Sequence, residues 1–541
     1  MYCTFVSIQR KYPLIQSSVL YLCVLVLLFS VYLVYNEYLY VLEFSSFNHT
    51  FITDYVSFFA KLVIGNLSLF CLLMIHPYLL NQKINNFEYI LLILFSVFGL
   101  FLLCSSNDFL TAYLAIEIQS LSFYVLAAFN KKSTFSVDAG IKYFILGSFA
   151  SSLFLFGVSL IYGISGSICF DDFNLLFTSS TWFFDIPNYW YNSYDDLMKK
   201  YTENNILISK AYDETSLTGI FYLIYAEVPV ITFIEFLNFY SDSIGNSYLQ
   251  DFSGLNSELL KFALVFILIA LLFKLTVAPF HLWAPDVYEG SPTSSTFFFS
   301  VVPKLSIFVL LLRIFYYSFF NFVESWRYFI VLIVIFSIMV GSFGGINQKK
   351  LKSLLVYSTI SHMGYSLIAF SAATFESLQM LISYLLVYSF SGLCVWSIFT
   401  TTRLKNNYFQ KQNKDLTDLV LLGKSNYMLA IFFTTVLFSV AGFPPMIGFL
   451  VKMGVFLTAM ESSLYFIALI SILCSVIGTF YYIRLIKIIY FEKVLVGKLY
   501  YPISSQTSIL IAILFYFLIF LFINPTVLFL ISHKISLLML L

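Results

Sequence analysis

Long, continuously apolar stretches alternate with short polar ones along most of this 541-residue chain. Each apolar stretch has about 20 residues or more, which is the length that a helix needs to cross a bilayer. Strands of a membrane barrel would instead alternate apolar and polar residues over about ten positions. The pattern therefore predicts an all-α polytopic membrane protein with about 13 membrane helices. We place these helices at 14–35, 55–80, 87–106, 109–129, 141–165, 259–281, 296–317, 327–346, 353–372, 377–402, 427–460, 463–490 and 506–531.

The composition agrees with a membrane protein and excludes several other classes. Hydrophobic residues make up 60% of the chain and charged residues only 11%, with a formal net charge of +1. Soluble domains carry about 25% charged residues, so an ordinary soluble enzyme, a disordered chain and a nucleic-acid binder are all excluded. The seven cysteines are scattered without a C-x-x-C pair. We therefore predict no cysteine-bound iron–sulfur cluster or zinc ion in this chain.

The connecting loops differ in charge and predict the orientation of the chain. Loops rich in Lys and Arg largely alternate with loops that are poor in them. The basic loops are 131–142, 347–352, 403–424 and 484–498, and the others include 48–54, 105–108, 371–376 and 460–463. The positive-inside rule places the basic loops on the cytoplasmic or matrix side. An odd number of helices then puts the N-terminus on that side and the C-terminus on the opposite side.

One long acidic segment, 167–258, interrupts the series of short loops. It contains 13 Asp and Glu residues but only three lysines. Its lack of basic residues predicts an insertion on the outer face. Within it, 217–239 is fairly apolar but carries Glu227, Pro229 and Glu235. We interpret this stretch as a surface or interfacial element, with a fourteenth span as the alternative.

The most informative charged residues inside the apolar runs are Glu117, Lys274, Lys304 and Lys452. A charged side chain that faces lipid costs several kcal/mol, by order of magnitude. Three explanations are open. The side chains could extend to the headgroups, Glu117 could form a structural ion pair with a lysine, or the four could form a chain of titratable groups that carries protons through a wet interior.

Two of the lysines accompany helix breakers. Lys274 precedes Pro279 and Pro285, and Lys452 follows a Gly-Phe-Pro-Pro sequence that begins at Gly442. Proline disrupts a helix, and broken helices at membrane depth are tolerated where they line a buried or watery cavity. Such breaks often mark the ion sites of transporters built from inverted repeats.

A histidine adds a further candidate for proton transfer. His362 lies in an apolar segment, four residues after Ser358 and on the same helical face. A histidine can relay protons near neutral pH, although it could equally be a static hydrogen-bonding group. The other four histidines lie at the ends of runs or in loops, where we interpret them as structural.

Several stretches resemble one known family. They are Tyr113–Phe129 (YLAIEIQSLSFYVLAAF), Ile141–Gly157 (IKYFILGSFASSLFLFG), Phe273–Pro292 (FKLTVAPFHLWAPDVYEGSP), Leu351–Leu367 (LKSLLVYSTISHMGYSL) and Val440–Lys452 (VAGFPPMIGFLVK). They resemble the family of NADH dehydrogenase subunit 2 of mitochondrial respiratory complex I, whose bacterial counterpart is subunit N. The resemblance runs from about residue 50 to the C-terminus and excludes 167–258. The third stretch is the most specific.

The resemblance implies an antiporter-like fold with two inverted five-helix repeats, each with one broken helix, here 259–281 and 427–460. It implies N-terminal membrane helices in 1–106, a first repeat in 107–166 and 259–317, a second repeat in 327–490 and a C-terminal membrane helix in 491–541. The bacterial form has fourteen helices, and this chain is expected to lack the first. The insertion at 167–258 replaces a short loop.

The resemblance also implies roles for the charged residues. Glu117 matches the family's carboxylate, which pairs with Lys274. Lys304 matches the bridging lysine, His362 a polar residue on the central water path, and Lys452 the terminal lysine near the outer exit. A lysine at this last position favours subunit 2, or the related subunit 5, over subunit 4, which carries a glutamate there.

The expected function is proton translocation as a membrane-arm subunit of NADH:ubiquinone oxidoreductase in the mitochondrial inner membrane. No cofactor is expected in this chain. NADH, FMN, iron–sulfur clusters and ubiquinone would belong to partner subunits. The expected partners are the other membrane-arm subunits, including subunit 4 and small membrane subunits, accessory subunits at 167–258, and phospholipids, but no nucleic acid. The alternatives are a stand-alone cation/proton antiporter subunit and a non-pumping structural membrane subunit.

Overall fold

The structure is a computed structural model that describes residues 13–37, 44–82, 86–178, 255–405, 410–412, 415–492, 500 and 502–540. Its α-helices are α1 (Pro13–Glu37), α2 (Tyr55–Asn81), α3 (Glu88–Ser105), α4 (Phe109–Ala127), α5 (Thr134–Ser165), α6 (Phe170–Thr178), α7 (Leu255–Lys274), α8 (Trp283–Gly290), α9 (Thr293–Val301), α10 (Pro303–Leu312), α11 (Val323–Ile346), α12 (Leu351–Ala372), α13 (Phe375–Thr401), α14 (Leu422–Ser425), α15 (Tyr427–Ala441), α16 (Ile447–Glu461), α17 (Tyr465–Tyr490), α18 (Ser505–Ile523) and α19 (Thr526–Leu540).

Shorter elements complete the described chain. A π-helix, Arg313–Ser318, continues α10, and 3₁₀ turns occupy Phe320–Phe322 and Leu416–Leu419. Two small antiparallel hairpins join β1 (Phe44–Ser46) to β2 (Phe51–Thr53), with Phe44 opposite Thr53, and β3 (Arg403–Lys405) to β4 (Gln410–Gln412), with Arg403 opposite Gln412. The prediction of an all-α membrane protein is confirmed.

Ten of the described helical segments are long and apolar enough to cross a bilayer. Three further predicted spans are also helical, namely α7, α12 and the pair α15–α16. Of these, α12 carries a polar stripe, α15–α16 is broken, and α7 ends at Lys274. The exceptions are therefore the spans that carry Lys274, His362 and Lys452. Helices suit this setting because they satisfy every backbone hydrogen bond internally.

Caps at the polar ends define where several spans begin. Asp54 accepts a hydrogen bond from the backbone N–H of Ser57, whose hydroxyl bonds back to the Asp54 N–H. Thr374 and Ser377 form the same capping box at the start of α13. These side chains satisfy backbone groups that the first turn of a helix leaves unpaired.

The last predicted span consists of two helices, α18 and α19, separated at Asn524 and Pro525. Both pack against α13 and run antiparallel to it. The Phe517 ring contacts Phe390, and the Phe529 carbonyl accepts from Gln379. Further along, the His533 ring contacts Phe375 at the beginning of α13. Together α18 and α19 thus follow α13 over most of its length as one interrupted span.

The two repeats have the same order of elements: three helices, a broken helix and a fifth helix. In the second repeat these are α11, α12, α13, α15–α16 and α17. In the first repeat they are α3, α4, α5, α7–α8 and α9–α10. The range predicted from the sequence for the first repeat began at residue 107 and holds only four of these spans. It omitted α3, because the short loop at 106–108 does not indicate whether the repeat begins before or after it.

Ion pairs at α8 show that the repeats are inverted. Asp286 of α8 binds Lys142 near the start of α5, and Glu289 of α8 binds Lys350, directly before α12. The second helix of the first repeat, α4, ends at the membrane face where α8 lies, because the next helix, α5, begins there. The second helix of the second repeat begins at it. The two repeats therefore cross the bilayer in opposite directions.

The α9–α10 span lies at the centre of the bundle. Over the most apolar stretch of this span, 94% of the residues are buried, against 28% for α1 and for α18. A central helix is buried by protein on all sides, so a charge on it faces other helices and not lipid. This difference determines the surroundings of Lys304.

Residues Asp171–Leu260 form a separate compact unit. Of this unit the structure describes 171–178 and 255–260, and Asp171 and Asp172 lie in the first turn of α6. The remainder of the predicted acidic insertion, including 217–239, lies outside the described residues. Its placement on the outer face stays a prediction.

Candidate proton-transfer site

Lys274 is the last residue of α7, where the first broken span is interrupted. The chain then runs without regular helix through Thr276, whose φ of 64° lies in the left-handed region, until α8 begins at Trp283. The Trp283 indole N–H donates to the Phe273 carbonyl at 3.2 Å, which satisfies one acceptor that the end of α7 leaves free. The predicted break is confirmed, and it leaves Lys274 at the end of a half-helix.

The Lys274 ammonium is buried and lacks a hydrogen-bond partner among the described residues. Its Nζ lies 5.8 Å from the centre of the Tyr124 ring. A small cavity beside it, also lined by Gln119, Ser120 and Ile307, has room for about one water molecule. Because the ammonium is buried and unpaired, it does not extend to the headgroups.

Glu117 lies on α4, three residues before Ser120. Its Oε1 has no hydrogen-bond partner in the described part of the chain, and its Oε2 accepts a long hydrogen bond from Ser120 at 3.4 Å. Ser120 also lines the Lys274 cavity. Glu117 and Lys274 are thus neighbours that interact electrostatically without a direct ion pair. The two side chains form no direct salt bridge in the structure, and their functional pairing stays a prediction.

Lys304 lies near the start of α10, where Pro303 takes the first helical position. Its side chain is only 2% exposed. The ammonium donates to the Tyr388 hydroxyl at 2.9 Å, and that hydroxyl donates to the Ser300 carbonyl at 3.3 Å. The reading in which Lys304 extends to the headgroups is wrong, because the centre of the bundle encloses the residue.

His362 is buried on α12 between two tyrosines. Its Nδ1 is 2.6 Å from the Tyr384 hydroxyl, and its Nε2 is 3.3 Å from the Tyr482 hydroxyl. The ring centre is 5.5 Å from that of Tyr388, which holds Lys304, and 6.1 Å from that of Tyr365. His362 therefore occupies the middle of a polar cluster and does not stand alone in an apolar core.

Lys452 reaches back across the second break to the end of the preceding half-helix. Its ammonium donates to the carbonyls of Val440 and Ala441, at 2.9 and 2.8 Å. These carbonyls end α15, and the negative end of the helix dipole there favours a cation. Gly442 turns the chain with a φ of 85°, and a β-carbon on it would lie 2.8 Å from Lys452 Cδ. The glycine thus leaves the space that the lysine crosses.

Tyrosines join Lys304, His362 and Lys452 into one cluster. Lys452 Nζ is 5.3 Å from the centre of the Tyr365 ring, which contacts His362. A second cavity, with room for about one water molecule, lies between His362 and Lys452. The five predicted residues therefore form two groups: Glu117 with Lys274, and Lys304 with His362 and Lys452. Ile307, one turn after Lys304, lines the cavity of the first group.

The sequence analysis missed two features of this site. One is the set of tyrosines, of which Tyr384 and Tyr388 lie four residues apart on α13. The other is a partly buried ion pair in which Arg313, inside the apolar run 296–317, donates to Asp54 at 2.6 Å and to the Ser106 carbonyl at 3.1 Å. Arg313 could have been found as a charge inside an apolar run. The tyrosines could not, because 40 of them occur along the chain.

No group of three or more His, Cys, Asp and Glu side chains that could hold a metal ion occurs within the described residues. The site consists of ammonium, carboxylate, imidazole and phenol groups. All of these can accept and donate protons, and none is redox-active in the way that a metal or flavin is. The chemistry that the arrangement supports is proton transfer inside a membrane bundle.

The broken helices, the inverted repeats and the buried lysines define a class of membrane protein. The family model described as "NADH:quinone oxidoreductase/Mrp antiporter, TM" matches residues 106–201 and 205–478, and the chain belongs to this family. Within it, the chain is similar to NADH-ubiquinone oxidoreductase chain 2 of Marchantia polymorpha, with 36% identity over 88% of this chain and 84% of the relative. It is also similar to NADH-quinone oxidoreductase subunit N of Paramagnetospirillum magneticum, with 33% identity over 87% and 81%.

Solved structures share the fold at lower identity. A chain of respiratory complex I from Thermus thermophilus matches with a TM-score of 0.67 and 22% identity, covering 95% of this chain and 93% of that chain. A chain of the Mrp complex from Dietzia sp. DQ12-45-1b matches with a TM-score of 0.72 and 16% identity, covering 97% and 93%. The antiporter-like fold expected from the sequence is thus confirmed.

Proposed function

We propose that this chain is the proton-translocating subunit 2 of the membrane arm of an NADH:ubiquinone oxidoreductase. The carrying observation is the continuous cluster from Lys304 through Tyr388 and His362 to Lys452, which is buried in an otherwise apolar bundle. A buried charge costs several kcal/mol, and a bundle needs no such cluster for packing. The relatives' names supply the redox reaction to which the movement of protons is coupled.

In this proposal the chain moves protons and holds no redox centre. NADH, FMN, the iron–sulfur clusters and ubiquinone bind to partner subunits. The partners are the other membrane-arm subunits, including the neighbouring antiporter-like subunit 4 and small membrane subunits, with phospholipids around them. Accessory subunits bind at 167–258. The chain lies in the mitochondrial inner membrane, with its N-terminus on the matrix side and its C-terminus on the side of the intermembrane space.

The roles of the five residues follow from their contacts. Lys274 and Glu117 can exchange a proton across the gap beside Ser120, because neither is held by a direct ion pair. Lys304 and Lys452 both lie near His362, close enough to interact with it electrostatically. A change of charge at one lysine therefore alters the energy of a proton at the next.

The test replaces Lys274 with Met in the assembled complex. The variant should assemble with normal helix content but lose coupled proton transport, because methionine has a similar length and cannot carry a proton. Lys261→Met is the matched control, since Lys261 lies on the same helix and is exposed. Wild-type proton transport in Lys274→Met, measured in proteoliposomes against NADH oxidation, would refute the assignment.

A stand-alone cation/proton antiporter subunit is the second candidate, favoured by the family model, which covers Mrp antiporters as well. It would use the same buried lysines without redox partners. Purification of the chain from its native membrane distinguishes the two. The proposed function requires that a rotenone-sensitive NADH-oxidising assembly accompanies the chain, whereas the antiporter would be isolated without one.

A further inference from the structure

Two hydroxyl groups on one face of α13 lie between Lys304 and His362. Tyr388 and Tyr384 are four residues apart, so their side chains project from the same side of the helix. The Tyr388 hydroxyl accepts from the Lys304 ammonium at 2.9 Å. The Tyr384 hydroxyl is 2.6 Å from His362 Nδ1. Each end of this pair of tyrosines is thus bonded to one of the charged or titratable groups that the proposed function requires.

Direct transfer from Lys304 to His362 is blocked, because the Tyr384 and Tyr482 hydroxyls already occupy both ring nitrogens of His362. The Lys304 ammonium is bonded to Tyr388 instead. The Tyr388 ring centre is 5.5 Å from that of His362, so the residue adjoins both groups. Any proton that passes between Lys304 and His362 therefore meets a tyrosine hydroxyl at each end.

We propose that Tyr388 and Tyr384 form a two-hydroxyl relay that carries protons between Lys304 and His362. The inference rests on the proposed function. It adds two catalytic residues to the path, because their hydroxyls touch the transferred proton.

Each transfer leaves the tyrosines neutral. A Lys304 N–H bond breaks as a new O–H bond forms on Tyr388, and the original Tyr388 proton leaves the same oxygen. No hydrogen bond joins the Tyr388 and Tyr384 hydroxyls, one helical turn apart, in the described structure. In the relay that proton therefore passes through one intervening water molecule to the Tyr384 hydroxyl, and the Tyr384 proton passes to His362 Nδ1. One proton moves from lysine to histidine, and no oxidant or other reactant is required.

The Ser300 carbonyl gives the relay a resting position. In the structure the Tyr388 hydroxyl donates to this carbonyl at 3.3 Å while it accepts from Lys304. A phenolic hydroxyl carries one proton and donates it to one partner at a time. Its turn from Ser300 toward Tyr384 opens the relay, and its return closes it.

The test compares three Tyr→Phe variants in the assembled complex: Tyr388→Phe, Tyr384→Phe and the control Tyr89→Phe. Phenylalanine keeps the ring and its packing but removes the hydroxyl. Tyr89 is fully buried outside the Lys304–His362–Lys452 cluster, and its hydroxyl donates to Ser294 at 2.7 Å. We expect each relay variant to lower coupled proton transport by at least about tenfold, as the loss of a proton-transfer group does in catalysis. The control should stay within about twofold of the wild type.

Two measurements separate a relay from a structural role. The amount of assembled complex and NADH oxidation by an artificial acceptor should be unchanged in both relay variants. Tyr388→His, which again supplies a group that accepts and donates protons, should recover part of the transport that Tyr388→Phe loses. Transport at the control level in both relay variants, or equal loss in Tyr388→His and Tyr388→Phe, would overturn the relay. If Tyr388→Phe does not assemble, Tyr384→Phe alone decides.

Lys304→Met distinguishes failure of the relay from failure of the proposed function. If Lys304→Met blocks transport while both Tyr→Phe relay variants transport normally, the relay is wrong and the proposed function stands. If Lys304→Met itself transports normally, the proposed function is wrong at this site, and the relay is wrong with it.

Discussion

The two broken helices present their lysines in opposite ways. Lys274 ends its half-helix, and its ammonium lacks a hydrogen-bond partner among the described residues. Lys452 lies beyond its break and reaches back to two carbonyls at the end of α15. An ammonium bonded to two carbonyls is held in one place, whereas an unpaired one is free to change partner or charge. The first break thus holds the more labile lysine of the pair, and the second holds the anchored one.

The two halves of the second broken helix pack closely at Gly448, and we expect a substitution there to have the largest effect. A β-carbon on Gly448 would lie 1.8 Å from the Ser439 carbonyl oxygen, so α16 and α15 meet there backbone to backbone. We expect Gly448→Ala to destabilise the chain by about 3 kcal/mol or more and to reduce assembly sharply. Gly163→Ala is the control, since nothing lies within 4 Å of its β-carbon. Quantification of the assembled complex checks both, and normal assembly of Gly448→Ala would contradict the packing described.

The next prediction tests the anchoring of Lys452 directly. Lys452→Met removes an ammonium that satisfies two buried carbonyls, and should lower the free energy of unfolding by roughly 2 kcal/mol. Lys274→Met removes an unpaired ammonium, and should leave stability unchanged or raise it. Thermal unfolding of the solubilised complex compares the two variants. Equal loss of stability in both would show that the two lysines are held alike.

Breaking the Arg313–Asp54 pair should destabilise the chain less than the substitutions at the second break. Asp54→Asn keeps the cap of α2, because asparagine also caps helices well, but removes the charge that Arg313 binds. Asp54 is 29% exposed at its side chain, so we expect a loss of only about 1–2 kcal/mol. Arg327→Gln is the control, since Arg327 donates to a backbone carbonyl, that of Ser462. An effect of Asp54→Asn no larger than that of the control would argue against a stabilising pair.

The smallest effect is expected at α8. The Lys142–Asp286 pair is more than half exposed on both sides, and surface pairs contribute little, about 0–1 kcal/mol. Asp286→Asn should therefore change thermal stability by less than about 0.5 kcal/mol and should leave both broken helices intact. A loss that persists in high salt would mean that this pair is shielded from solvent in the complex.

Much of this fold follows from the sequence for simple physical reasons. A run of about 20 apolar residues can only be a helix in a bilayer, so the spans were predictable. Lys274 and Lys452 also stood out, because a charge next to proline in such a run has few explanations. Their contacts were not predictable. The sequence indicates the turn at Gly442, but whether Lys452 meets a carboxylate, a carbonyl or lipid depends on how α16 packs against the end of α15, and no local pattern encodes that packing.

The tyrosine cluster and the boundary of the first repeat show where sequence reasoning stops. Tyr384 and Tyr388 are two among 40 tyrosines, and nothing in the sequence distinguishes them. They gain a role only because α13 packs where Lys304 of α10 and His362 of α12 come together. Likewise α3 is an ordinary apolar helix. It is recognisable as the start of a repeat only beside its counterpart α11. Both features depend on contacts between distant parts of the chain.

The short helix α8 has a mechanical consequence. It directly follows the break at Lys274 and is tied to both halves of the bundle, to the first by Lys142 and to the second by Lys350 and by Lys352, which donates to the Ser291 carbonyl at 2.7 Å. Rocking of one half against the other therefore changes the position of α8 relative to at least one of these partners. A spin label placed here would report movement of both halves at once, while labels on lipid-facing helices would each see only their own.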